Sequence, residues 1–116
     1  GTDISTAVSF IVDGSIYVLN RDGSIIKLTK GARDTFSSQA AEPAVTNPAT
    51  LAATDSHLFV LDANEGRVIA YDKKTGRISA QYVAEALKNV RDIVVEADGK
   101  SLLAASGNRV LRFALP

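Results

Sequence analysis

The chain carries one histidine, His57, no cysteine, and a series of aspartates set beside glycines, so its possible chemistry is quickly bounded. Without cysteine there is no thiol nucleophile and no thiolate metal site, and one imidazole cannot supply a two-histidine site. Ser56, His57 and the aspartates offer the residue types of a Ser-His-Asp hydrolase. No Gly-x-Ser-x-Gly elbow carries the serine, however, and no helix would follow one. His57 therefore reads as an ordinary polar residue at the start of a strand. Asp13, Asp22, Asp62, Asp72 and Asp98 lie in or beside glycine-containing turns, where a carboxylate accepts hydrogen bonds from nearby backbone N–H groups and shapes the loop. A calcium loop of the Asp-x-Asp-x-Asp-Gly kind is absent. A glycosidase pair would have to be assembled from carboxylates far apart in sequence. No Gly-rich phosphate loop leads a strand into a helix, and aromatics do not alternate with basic residues as in base-stacking surfaces. No cofactor is expected.

The arginines are more regular. Arg21, Arg67 and Arg109 each stand at, or just after, a polar turn between two apolar segments. In one reading Arg67 and Arg109 pair with a turn aspartate in each unit and keep the repeat together. In the other they join Asn64, Glu65, Arg91 and Asn108 on a recognition surface, backed by loops at 40–48 and 85–92. There a planar guanidinium would suit acidic or phosphorylated groups, and polar loops on a rigid scaffold are where recognition concentrates.

The elements that would position these residues follow from the apolar pattern. "SIYVLN" (15–20), "HLFVLD" (57–62) and "SLLAAS" (101–106) are short runs bounded by turn formers, and each resumes after a turn as "SIIKL", "RVIAY" or "RVLRF". The turns contain Asp-Gly or Asn and Gly, which supply the positive φ of a tight hairpin. Ile26, Ile69 and Leu111 hold the same place in three hairpins, 43 and then 42 residues apart. A period in the low forties with several strands per unit predicts propeller blades. A further apolar run precedes each hairpin (7–12, 49–54 and 92–97), and "RISAQYV" (77–83) follows the second, which makes four strands per unit. "IYVL" and "LFVL" are apolar on both faces, so both faces must be covered; "RISAQYV" alternates and suits an outer edge. The prediction is an all-β chain, a partial β-propeller of about three blades at roughly 7–48, 49–89 and 90–116. Residues 32–48 should hold an irregular outer strand and a long loop, 83–89 one short helical turn, and 1–6 either a neighbouring blade's outer strand or a linker.

At 116 residues, 46% apolar and 22% charged, the composition is that of a single globular domain. Thirteen basic residues balance thirteen acidic ones, which gives no electrostatic ground for nucleic acid or an anionic membrane as partner, and no apolar run is long enough to enter a bilayer as a helix. There is no methionine even at position 1, so the chain is expected to be part of a longer protein. Three blades fall short of the roughly four to eight that close a ring. An open fragment would bare an apolar blade face at each end, so the remaining blades are expected from the parent chain or from a second copy.

"LFVLDANEGRVIAYDKKTG" resembles the NHL-type and related six-bladed propeller repeats: Asp62, Arg67, Val68, Asp72, Thr75 and Gly76 fit the motif, and Asn64 sits one place from its usual asparagine. "SGNRVLRF" carries the likeness into the third unit, while "NRDGSIIKL" matches only loosely. The whole is also similar to extracytoplasmic propellers at the C-termini of some bacterial membrane-anchored phosphatase-like proteins. The resemblance implies a binding scaffold for protein, peptide or RNA; with no electrostatic ground for nucleic acid, the expectation is a non-enzymatic module, displayed outside the cytoplasm, that recognises a protein, peptide or surface polymer through loops on one face. Its catalytic members, gluconolactonase-like and peptide-amidating propellers, need a metal or a dedicated basic residue in the central channel. The alternatives are accordingly part of a metal-dependent lactonase- or lyase-like enzyme, or a half-propeller whose main partner is its own copy.

Overall fold

The computed structural model describes residues 5–96 and 99–115. Among them eleven strands form three antiparallel meanders. The first blade contains β1 (Ala7–Asp13), β2 (Ser15–Asn20), β3 (Ile25–Thr29) and β4 (Ala32–Arg33). The second contains β5 (Pro48–Ala53), β6 (His57–Asp62), β7 (Arg67–Asp72) and β8 (Ile78–Val83). The third contains β9 (Asp92–Val95), β10 (Ser101–Ser106) and β11 (Arg109–Ala114). The strands β1, β5 and β9 touch in sequence and are the innermost of their blades. The expected strand at 1–6 and the turn carboxylate Asp98 lie wholly or mostly outside the described residues.

The two-faced apolar strands are buried for the predicted reason. In β6, Leu58 and Val60 point toward the first blade, where they meet Tyr17, Leu19 and Ile25; Phe59 and Leu61 point toward the third, where they meet Ile93, Leu102 and Ala104. The second blade is thus the middle layer of three, and side chains alternating along one strand fill two separate seams. The outer strand β8 alternates half-buried and exposed, as an edge should.

Two connections carry information that the pattern did not. The first blade's outer strand is only Ala32–Arg33, and residues 34–47 cross to the second blade without regular structure. Their polar, proline-containing sequence cannot sustain a ladder, but Phe36 still caps the first seam, edge-on to Tyr17 at 5.9 Å. The second connection makes a 3-10 helix over Glu85–Asn89, and Leu87 and Val90 bury completely in the second seam. Gly66 permits this: at φ 59° it lies under the turn so closely that a Cβ would stand 2.5 Å from the Ala84 carbonyl oxygen.

Candidate functional site

The meander puts the β2–β3, β6–β7 and β10–β11 turns, with residues 40–47 and 84–91, at one end of the molecule; the β1–β2, β3–β4, β5–β6, β7–β8 and β9–β10 turns lie at the other, with residues 34–37. Arg21, Asn64, Glu65, Arg91, Asn108 and Arg109 are all exposed at the first end, so the topology gathers them at one level as the repeat predicts. A hollow of about 200 Å³ at this end is lined by Asp22, Gly23, Ser24 and Val45 among others, and by none of these six.

Arg67 departs from this group. It is only 2% exposed, because β7 turns it back into the first seam against Asp62, its opposite number on β6. The guanidinium donates to the Asp62 carboxylate at 2.9 Å and to the carbonyl oxygens of Pro43 at 2.7 Å and Ala44 at 3.2 Å. The Gln81 side-chain oxygen accepts at 3.2 Å, and Nε has no partner among the described residues. Asp62 also accepts from the backbone N–H groups of Asn47 at 3.0 Å and Thr46 at 3.4 Å. Arg67 is therefore a latch on the connection 34–47 and not a surface group, which realises the aspartate-pairing reading for this residue. The pairing does not extend to Arg109, whose opposite number on β10 is Ser106, not a carboxylate.

Two wider hollows lie at the other end. A hollow of about 660 Å³ at the innermost turns is lined by, among others, Asp13, Asp55, Ser56, His57 and Glu96. A second, of about 690 Å³, runs outward along the first seam past Tyr17, Lys27, Asp34, Lys73 and Lys74. Asp13 and Asp55 belong to both, so the two form one groove.

The groove's charges are held in distinct ways. Lys73, almost buried, reaches from the β7–β8 turn to the Asp13 carboxylate on the first blade, and its ammonium lies 5.6 Å from the centroid of the Tyr17 ring. Lys27 approaches the same ring at 5.7 Å. Asp34 accepts from the Phe36 N–H at 3.0 Å and the Thr29 hydroxyl at 2.9 Å, and these bonds hold its carboxyl below the usual carboxylate range. Asp72 is lowered likewise by the N–H groups of Thr75 at 3.0 Å and Lys74 at 2.8 Å. Asp22, in the hairpin turn at the opposite end, is lowered by the hydroxyl and N–H of Ser24. Asp55 and Lys74 are exposed and enter no ion pair among the described residues; Lys27 and Asp34, half-buried along the same groove, enter none either.

Catalytic machinery is harder to assemble there. The Ser56 hydroxyl and His57 Nδ1 lie 2.8 Å apart, but they are sequence neighbours, and no carboxylate bonds to the ring among the described residues. A serine on Nδ1 occupies the place a triad's orienting acid would take. No three His, Asp or Glu among the described residues gather as a metal site. The sequence reasoning did not reach Lys27, Lys73, Lys74 or Asp55, which stand on different strands and turns. One signal was available: Asp13 and Asp55 occupy matching turns 42 residues apart.

No known family matches the sequence, and no curated protein does either. Solved structures match the fold. Hydrazine synthase of Kuenenia stuttgartiensis superimposes with a TM-score of 0.71 at 17% identity, over 92% of this chain and 31% of that one. Glutaminyl cyclase of Myxococcus xanthus gives 0.69 at 12% identity, over 95% and 56%. A catalytically inactive virginiamycin B lyase from Staphylococcus aureus, with quinupristin, gives 0.64 at 14% identity, over 97% and 42%. The chain thus spans between about a third and somewhat over half of these structures. All three are propeller-like, and at these identities the likeness establishes a β-propeller fold and nothing finer.

Proposed function

We propose that the chain is a non-enzymatic binding module of NHL-like propeller type, and that it holds a short extended peptide segment in the groove at the β1–β2 and β5–β6 turns. The observation that carries this reading is the pair of unpaired opposite charges, Asp55 near the innermost turns and Lys74 farther out, in one hollow between them. A segment with a basic group at one end and an acidic group at the other complements both. Hydroxyls of Thr35, Ser37, Thr54 and Thr75 line the hollows and can serve its backbone. The Lys73–Asp13 bridge holds the two blades in register beneath it, so little ordering is left to the moment of binding.

Titration calorimetry tests this with capped tetrapeptides Lys-Gly-Gly-Glu, Glu-Gly-Gly-Lys and Gln-Gly-Gln-Gly. One charged orientation should bind best, and Asp55→Asn or Lys74→Gln should each weaken it by about 2–5-fold, the worth of an exposed ion pair. Arg21→Ala and Asn64→Ala, at the far end, should change nothing. Equal affinity for all three peptides, or loss on the far-end substitutions, would remove the groove as the site.

A further inference from the structure

The small hollow beside the β2–β3 turn holds a polar group that no part of the protein uses. Tyr71 lines it and is only 1% exposed. The ring packs in the first seam, but the hydroxyl makes no hydrogen bond among the described residues. Blade packing does not require that hydroxyl. Tyr71 stands opposite Leu58 in the ladder; the same place in the first blade, opposite Ile16, is Leu28, and in the third, opposite Leu102, it is Phe113. Both fill the place without a polar atom. A buried hydroxyl left without a partner costs about 1–3 kcal/mol, so this one is a departure that the repeat itself does not explain.

The rest of the lining defines what fits. Asp22 stands exposed at the mouth, and the Ser24 hydroxyl at 2.6 Å and N–H at 2.9 Å, both on Oδ1, hold its carboxyl below the usual carboxylate range. No cation pairs with it among the described residues. Ser38 Oγ accepts from the Ile25 N–H at 2.9 Å, which leaves its own proton to donate. Between them Ala40, Ala41 and Ala44 present methyl groups. This wall is fixed before anything binds: the Gln39 N–H donates to the Gly76 carbonyl oxygen at 2.7 Å, and Arg67 holds the carbonyls of Pro43 and Ala44. A volume of about 200 Å³ is several times the share of one water and somewhat more than a cavity that takes benzene, so it admits a ligand of roughly six to eight non-hydrogen atoms.

We propose that this hollow binds a small amino alcohol, with its ammonium at the Asp22 carboxylate, its carbon chain along the alanines, and its oxygen accepting from the Tyr71 phenol and the Ser38 hydroxyl. An alkylamine would leave the phenol unpartnered and an alcohol would leave the carboxylate unpaired, so both ends are needed. The site lies at the opposite end of the molecule from the groove and stands or falls independently of it.

Amide chemical-shift titration of the 116-residue chain with aminopentanol, pentylamine and pentanol tests the site. Aminopentanol should give saturable shifts at Ser24, Ser38 and Tyr71 and bind better than either analogue. Tyr71→Phe should weaken aminopentanol by about 2–10-fold, the worth of one hydrogen bond, and leave pentylamine unchanged, so that the two amines become equal. Asp22→Asn should weaken both amines by about 2–5-fold and spare pentanol. Ala41→Leu fills the hollow and should abolish saturation, with circular dichroism showing the fold retained. Thermal unfolding supplies a readout that separates binding from structure: Tyr71→Phe should melt at or above the wild type, because the hydroxyl it loses has no partner. A lower midpoint would show the phenol bonded within the protein and overturn the proposal. So would the absence of saturable shifts in the wild type, equal affinity for all three ligands, or aminopentanol affinity unchanged in Tyr71→Phe or Ala41→Leu.

Discussion

Replacing Asp62 with alanine is the sharpest test of how this molecule is held together. The carboxylate is completely buried and accepts from Arg67, Asn47 and Thr46, while Arg67 is itself buried and also clasps Pro43 and Ala44. Without the carboxylate the guanidinium remains in the seam with neutral acceptors only. Breaking a buried pair in this way costs about 3–5 kcal/mol, out of a total of about 5–15 kcal/mol for a domain. At about 4 °C per kcal/mol for a chain of this size, the midpoint of thermal unfolding should fall by roughly 12–20 °C. Circular dichroism measures that fall, and hydrogen exchange should show the amides of Thr46 and Asn47 losing protection with it. The double replacement Asp62→Leu with Arg67→Met removes both charges and should recover most of the loss, because an apolar pair of similar volume needs no compensation. A midpoint within about 4 °C of wild type in the single variant, or a double variant as unstable as the single, would refute the latch.

Gly76, at φ 74°, has no room for a side chain: a Cβ would collide with the Ser37 carbonyl oxygen across the seam, where Gly76 also accepts from the Gln39 N–H at 2.7 Å. Gly14, at φ 72°, has nothing within 4 Å. Urea unfolding should therefore show Gly14→Ala losing only the backbone term, about 1 kcal/mol, and Gly76→Ala distinctly more, because the β7–β8 turn must detach from residues 37–39. Equal losses would count against the close approach. Asp34 and Asp72 are lowered by hydrogen bonds to their ionised forms, so the unfolded chain takes up protons first as pH falls. Their contribution is complete at neutral pH and is lost as pH falls below about 4, through their folded values. The urea midpoint should drop there, and Asp72→Asn should flatten the drop; a variant with an unchanged acid limb would contradict this. Tyr71 behaves in the opposite direction, since burial raises its phenol, and stability should be lost as pH rises beyond about 10.

The sequence by itself determined the blades. Apolar residues on both faces of 15–20 and 57–62 require covering from both sides, and the recurrence of Ile26, Ile69 and Leu111 sets the unit length. Those are local consequences of strand geometry, which is why the strand bounds at Ser15–Asn20, His57–Asp62 and Ser101–Ser106 coincide with the runs read from the sequence. Only the tertiary structure decided what the charged residues do. Arg67 and Arg109 follow the same kind of turn, yet one faces Asp62 across the ladder and is buried, while the other faces Ser106 and is exposed. Register pairs residues by position on neighbouring strands, and burial depends on which blade lies opposite; neither is encoded in the residue's own neighbourhood. The groove shows the same limit. Asp13, Asp55, Lys27 and Lys73 are brought together by the stacking of blades, and a Lys–Asp pair 60 positions apart leaves no periodic trace along the chain.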